Sequence, residues 1–337
     1  TAAGGGGGAS DAEMSRGVAT ISTHLSVDRL DRLRLYFERW AGPIVAVIYL
    51  RDVDRDLPKA EQFARTHSAK GRKNFVLVLS AARDPGLYPA NLLRNLAAEP
   101  VKTPLIFYLD IDLIPDPGFY SYVVSREEEL RSQSETSVFT IPAFHVEEAE
   151  SEADLPADAR ELIGLVRGGG ARPILSHKDE FWEAFACLNY PRWYNSTRQY
   201  KTNYRWPCEP YIIGATRKMP PFDERFVHYG NDKAQHVLNL FYHQFRFVVL
   251  PLHFLVHLPH RKAAWADPSK RQKHFGEVLE LTEQFKFETG TAAGVNWHTG
   301  VKFTKGTYRV KDGRMIVWDG ARWVDQASGQ AADPLGR

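Results

Sequence analysis

No segment of the sequence is apolar for the roughly 20 residues needed to cross a bilayer. The longest apolar runs, Ile44–Leu50 and Phe245–Pro251, have the length of strands. A membrane bundle is excluded, as the mean hydropathy of −0.38 also requires. An excess of charge is lacking too: 43 Lys and Arg face 41 Asp and Glu, a net charge of +2. This balance creates no general field for a phosphate backbone, so nucleic acid is not an expected partner. Cysteine is scarce, with two residues in 337, which excludes a small disulfide-stapled module. Cys187 and Cys208 fit either one disulfide or two buried thiols.

What is present suits a globule with a sizeable core. At 337 residues, 43% hydrophobic and 25% charged, the chain predicts one large α/β domain or a domain with an appendage. Residues 1–16 are rich in Gly and Ala without periodicity and read as a linker or stem. With neither an initiator Met nor a basic-then-apolar leader, the sequence reads as a processed form separated from any targeting segment. Asn195-Ser196-Thr197 is an N-glycosylation sequon and points to the secretory lumen.

Up to Leu109 the pattern alternates between strand and helix. Val18 to Ser22 is β-rich, and Leu30, Leu33, Phe37 and Trp40 share one helical face. Apolar runs at 44–50, 75–80 and 104–109 predict strands, and 91–98 predicts a helix. Near-continuous apolar strands between helices mark a mostly parallel sheet covered on both faces, so a Rossmann-like α/β half is expected. The acidic stretch Glu147 to Glu161 reads as a solvated helix face or loop, and Gly168-Gly169-Gly170 as a flexible break. Aromatic residues crowd Phe181 to Tyr211, more than a helical stripe needs, leaving some to stack on sugar rings. In the tail, YRVKDGRMIVWDGARWV predicts β-hairpins turning at Asp312-Gly313 and Asp319-Gly320.

The sharpest chemical feature is LIFYLDIDLIP, an apolar strand ending in Asp110 and Asp112. Strand carboxyl ends open onto the ligand crevice of an α/β sheet, and two carboxylates there can hold a divalent cation that clamps a diphosphate. A second cluster, PPFDERFVHYGNDKAQHVL, offers Asp223, Glu224 and Asp232. An acid at a helix start can take a proton from a hydroxyl, and His257, ending FLVH, can complete a metal octahedron. The plainer alternative is that Asp223 caps a helix, Glu224 pairs with Arg225, and His257 and His260 lie at the surface. In YPANLLRNLA, the residues Asn91, Arg94 and Asn95 share one helical side, where an Arg fork can meet a diphosphate or simply face solvent.

The blocks SVDRLDRLRLYFERWAGPIVAVIYL, YPANLLRN, FYLDIDLIPDPGFY, IPAF, TNYRW with EPY, FDERFVHYG and FVVLPLHFLVHLPH occur in one order. In that order the chain resembles glycosyltransferase family 49, which includes β-1,4-glucuronyltransferase and the carboxyl-terminal catalytic domain of the LARGE proteins. The resemblance spans about Thr20 to Arg261. It implies a GT-A fold over 17–290 with a separate hairpin tail at 291–337, and an inverting mechanism. It further implies a Mn²⁺ (or Mg²⁺) ion, UDP-glucuronate as donor and acceptors ending in xylose. Asp110 and Asp112 fall on the family's Asp-x-Asp, and His257 on its metal-binding His. Asn91, Arg94, Asn95 and Asp110 are expected around the UDP-sugar. Arg205, ahead of Lys201 and Arg198, is expected at the glucuronate carboxyl.

The chain departs from the family at Gly230-Asn231-Asp232-Lys233, where an acid stands in place of an amide. Asp232 is therefore one candidate base, and Asp223 the other. By analogy the enzyme works in the Golgi lumen behind a single amino-terminal anchor. Two other readings stay open: the same fold using UDP-xylose or UDP-N-acetylglucosamine, and a non-catalytic glycan-binding homologue.

Overall fold

The computed structural model describes residues 14–147, 154–174, 185–227, 230–258, 268–298, 300–303, 305, 307–311 and 314–333. His260, Phe181, Trp182 and the Asp312-Gly313 turn lie outside the described residues. Met14, which composition assigns to the linker, is buried in an apolar cluster with Val45 and Leu93.

The first half alternates as expected, with β1 (Ala19–Ser26), α1 (Leu30–Arg39), β2 (Ile44–Leu50), α2 (Val53–Ala69), β3 (Phe75–Ala81), α3 (Ala90–Ala98) and β4 (Leu105–Tyr108). The strands pair in parallel in the order β3-β2-β1-β4. Every residue of β2 is buried because both of its faces are covered, which is why its sequence is unbroken Ile, Val, Ala, Tyr and Leu. Helix α2 carries Pro58, capped by Asp52 accepting from Arg55 N–H; Leu57 and Phe63 still pack on the core.

Beyond β4 come β5 (Leu113–Pro115), α4 (Phe119–Ser125), α5 (Glu127–Gln133), β6 (Ser137–Ile141), β7 (Ala143–Val146), α6 (Ala159–Gly168), β8 (Ala171–Pro173) and α7 (Tyr190–Trp193). They are followed by β9 (Tyr200–Thr202), β10 (Tyr211–Ala215), α8 (Ala234–Tyr242), β11 (Arg246–Val249), β12 (Leu255–His257) and α9 (Pro268–Ala292). The main sheet runs β3-β2-β1-β4-β10-β6-β11-β9, with β10 antiparallel to both neighbours. A second sheet, β5-β12-β7-β8, starts directly after Asp112. This mixed sheet flanked by helices is the expected GT-A type of α/β architecture. Among the described residues no helix is long and apolar enough to cross a membrane.

Three local expectations are refined. Gly168-Gly169-Gly170 is a helix stop: Gly169 sits at φ +80° and Gly170 N–H returns to Leu165 O at 2.9 Å. The acidic stretch supplies the start of α6, where Asp158 accepts from Glu161 N–H and Glu161 accepts from Ala157 N–H. Cys187 and Cys208 form a disulfide with Cα atoms 6.2 Å apart. The tail forms an antiparallel sheet of β13 (Tyr308–Lys311), β14 (Arg314–Trp318) and β15 (Trp323–Asp325). Trp318 and Trp323 bury against the end of α9. Gly294 (φ +71°) admits the Trp318 ring there, and Trp323 Nε1 donates to Thr291 O at 3.0 Å.

Candidate active site

Strand β4 is buried from Leu105 to Phe107 and delivers Leu109-Asp110-Ile111-Asp112 to the point where the main sheet hands over to β5. The turn is pinned from α1. The buried Tyr36 hydroxyl lies 2.6 Å from Asp110 O and 2.9 Å from Leu113 O, one proton shared between two carbonyls.

Around the Asp110 carboxylate the fold gathers side chains from four elements. Arg94 of α3 donates to Asp110 Oδ1 at 3.2 Å and to Asp232 Oδ2 at 2.7 Å. Lys233, just before α8, donates to Asp110 Oδ2 and to the Tyr211 hydroxyl, both at 2.9 Å. Tyr211 of β10 donates to the same Asp110 Oδ2 at 2.9 Å. His24 of β1 brings Nε2 within 4.0 Å of Asp110 Oδ1, and its Nδ1 meets the Tyr88 hydroxyl at 2.8 Å.

Burial disfavours every charge here, yet the pairing outweighs it. Burial opposes ionisation of Asp110, but Lys233 and Arg94 hold its carboxyl well below the ordinary range. Asp232 likewise resists burial through Arg94 and Lys233 and is held low. Burial would lower the Lys233 pKa, but Asp110 and Tyr211 drive it well above the usual value. His24 goes the other way: burial and then Arg94 pull its pKa down to about 3, so its ring is neutral. A cavity of about 20 Å³, room for one water, is lined by Ser22, Arg94, Tyr108, Asp110, Tyr211 and Lys233.

Asp112 points elsewhere and pairs with Arg29 Nη1 at 3.5 Å. Leu258 N–H donates to Asp112 O at 3.1 Å, so strand pairing sets His257 beside Asp112; the His257 ring contacts His145 edge-on at 4.7 Å. Two carboxylates and an imidazole are a donor set suited to Mn²⁺ or Mg²⁺. Among the described residues, however, no three His, Cys, Asp or Glu side chains converge closely enough to bind an ion. The metal reading therefore rests on donor chemistry and strand adjacency, not on an assembled ligand set.

Of the residues singled out by sequence, Arg94, Asp110 and Asp232 meet directly. Asn91 and Asn95 are clamps on the 222–224 segment. The amide of the wholly buried Asn91 joins Asp223 O at 2.8 Å to Arg94 Nη1 at 2.7 Å. Asn95 brackets Phe222 through its N–H at 2.8 Å and its O at 2.9 Å. The Asp223 carboxylate is not in the Asp110 cluster; it is engaged by Arg225, the partner expected for Glu224, which instead accepts from Asn95. Arg205 and Arg198 are exposed. Lys201 is exposed on β9, four strands from β4 and hence about 19 Å away. The residues that sequence reading missed are Lys233, Tyr211 and His24. Lys233 is adjacent to Asp232 and His24 lies within β1, two residues beyond the β-rich run Val18 to Ser22, but nothing local signals their convergence.

Residues 59–291 match the sequence model of Glyco_transf_49, described as glycosyl-transferase for dystroglycan. The chain belongs to this family, glycosyltransferase family 49. Its family 49 relatives include the xylosyl- and glucuronyltransferase LARGE2s of Danio rerio, 31% identical over 72% of this chain and 31% of that protein. Another is the xylosyl- and glucuronyltransferase LARGE1 of Homo sapiens, 29% identical over 79% of this chain and 34% of that protein. The chain thus spans about a third of the length of these curated relatives. Solved structures resemble it more distantly. GalNAc-T7 with UDP, GalNAc and Mn²⁺ aligns with a TM-score of 0.47 at 9% identity, over 81% of this chain and 54% of that one. S. aureus TarS 1-349 in complex with UDP-GlcNAc aligns at 0.43 and 9%, over 90% and 98%.

Proposed function

We propose that this family 49 chain is an inverting glycosyltransferase moving glucuronic acid from UDP-glucuronate to a xylose-type acceptor, forming a β-linked glucuronide. The observation that carries the reading is the pairing of Arg94 with both Asp110 and Asp232 beside Lys233, at the carboxyl end of a parallel strand. Such a site joins two cations, suited to a departing diphosphate, to a carboxylate held ionised for proton transfer.

In this reading the acceptor hydroxyl gives its proton to Asp232, and its oxygen bonds to the anomeric carbon from the face opposite UDP. The bond from that carbon to the diphosphate oxygen breaks, and the electron pair leaves with UDP. Arg94 and Lys233 stabilise the charge gathering on the diphosphate. A divalent cation held by Asp112 and His257 with Asp110 alongside would supply further neutralisation there. Arg205 is assigned to the donor carboxylate, which needs a cation once desolvated. If Arg205→Ala leaves the preference for UDP-glucuronate over UDP-glucose unchanged, that role is withdrawn. We place the enzyme in the Golgi lumen. The Cys187–Cys208 disulfide and the exposed Asn195 of the sequon support an oxidising, glycosylating compartment.

The test is UDP release across a panel of UDP-sugars, with Mn²⁺ or EDTA, with and without a β-xyloside. Release confined to UDP-glucuronate and stimulated by the xyloside is the expected result. Release from UDP-xylose or UDP-N-acetylglucosamine would overturn the donor, and no release from any would favour a glycan-binding homologue.

A further inference from the structure

We infer that Lys233 and a divalent cation are alternative partners of Asp110, and that the donor's diphosphate couples the two by drawing Lys233 off the carboxylate. The inference deepens the metal assignment of the reading above and rests on it.

Asp110 is open to a cation, its side chain being 29% exposed, but its oxygens are engaged. Oδ2 accepts from Lys233 Nζ and from the Tyr211 hydroxyl, each at 2.9 Å, which uses both lone pairs of that oxygen. Oδ1 accepts from Arg94 Nη2 at 3.2 Å. A divalent cation bonds a carboxylate through these same lone pairs, so it reaches Oδ2 only in exchange for a hydrogen bond already made. Asp112 is held in the same manner, by Arg29 at 3.5 Å. Each carboxylate of the Asp-x-Asp thus has its own cation, which accounts for their failure to converge on one point.

Of the cations at Asp110, Lys233 is the one able to leave. Arg94 is fixed by Asn91, Asp110 and Asp232 and lies over the Phe222 ring at 5.3 Å. Lys233 has a flexible four-carbon stem, and among the described residues its ammonium makes two hydrogen bonds, to Asp110 and Tyr211, out of three it can donate. It also lines the small cavity beside Asp110, where a diphosphate oxygen can take it up.

The charges require the coupling. Two cations, Arg94 and Lys233, are hydrogen-bonded to two carboxylates, Asp110 and Asp232, so the group is balanced. A divalent ion added alone meets two like charges at close range. A diphosphate entering with it supplies the missing anion and a new partner for Lys233. The coupling is reciprocal, so the cation strengthens donor binding by the same factor.

The experiment measures the Mn²⁺ Kd of the full chain from the EPR signal of free Mn²⁺, with and without UDP, and needs no turnover. Lys233→Met is expected to tighten Mn²⁺ binding in the absence of UDP about tenfold, a gain that damage to the fold could not produce. UDP should then tighten Mn²⁺ binding less in the variant than in the wild type. Tyr211→Phe, which removes a hydrogen bond from the same oxygen but no charge, should leave the Mn²⁺ Kd within about twofold. Unchanged or weaker Mn²⁺ binding in Lys233→Met would overturn the inference while leaving the metal assignment standing, and an equal gain in Tyr211→Phe would overturn the role of the ammonium. Absence of Mn²⁺ binding in every form, with UDP or without, would overturn the metal assignment and the inference together. Should Lys233→Met not fold, Lys233→Gln is read in the same way.

Discussion

Arg94 Nη1 donates to Asp232 Oδ2 at 2.7 Å across 138 positions of sequence, with its side chain only 9% exposed. The same guanidinium holds Asp110 at 3.2 Å and lies 5.3 Å from the centre of the Phe222 ring. One side chain thus ties the strand end, the segment before α8 and the 222–224 segment into a single site.

Removing it leaves two half-buried carboxylates without their fork. Arg94→Met should lower stability by about 3–5 kcal/mol, the usual result of breaking one side of a buried pair, and abolish UDP release. Arg94→Lys should fold better and remain nearly inactive, because an ammonium cannot serve both carboxylates bidentately. Thermal melts beside turnover check both; wild-type turnover in Arg94→Lys would remove the fork from the mechanism.

Asp232→Asn keeps the shape and most of the hydrogen bonding but cannot accept a proton. Turnover should fall by about 10²–10⁴-fold with UDP affinity retained. Asp223→Asn, altered outside the Asp110 cluster, should cost far less. If the two variants exchanged places, Asp223 would be the base.

His236 is buried, stacks on Phe222 at 3.9 Å, and its Nε2 donates to Pro220 O at 2.9 Å. Burial lowers its pKa from 6.5 to about 4. The unfolded chain then binds the proton first, so the stability of the neutral ring is fully present above about pH 6.5 and lost as pH falls toward 4. The slope from this group is at most about 1.4 kcal/mol per pH unit. Urea unfolding between pH 7 and 5 should show a shallower acid loss in His236→Gln than in the wild type; parallel curves would exclude the effect.

Asp116 is a brace rather than a reactive group. It is 3% exposed, accepts from Gly118 N–H at 3.1 Å and Phe254 N–H at 3.2 Å, and meets His253 Nδ1 at 3.1 Å. Asp116→Ala leaves these donors unmet and should cost about 2–4 kcal/mol, read as a drop in Tm. An unchanged Tm would show that water replaces the carboxylate.

Asp112→Ala, His257→Ala and EDTA should each abolish metal-stimulated UDP release, and Mn²⁺ should raise the Tm of the wild type but not of the variants. A wild-type Tm insensitive to Mn²⁺, with full activity in EDTA, would sink the metal assignment.

The local pattern alone determined much of this protein. Unbroken apolar runs at Ile44–Leu50 and Leu105–Phe107 report strands buried on both faces, because burial acts residue by residue and leaves its mark on composition. The same logic exposed Asp110 and Asp112 as charges that break such a run at its end, and Asp319-Gly320 as a hairpin turn. Partners brought together by sheet order leave no such mark. That Lys233 and Tyr211 meet Asp110 and that β9 carries Lys201 to the far edge follow from which strands pair. Pairing is set by the closing of one shared core over many separations at once, so only the tertiary structure could decide which charges share the crevice.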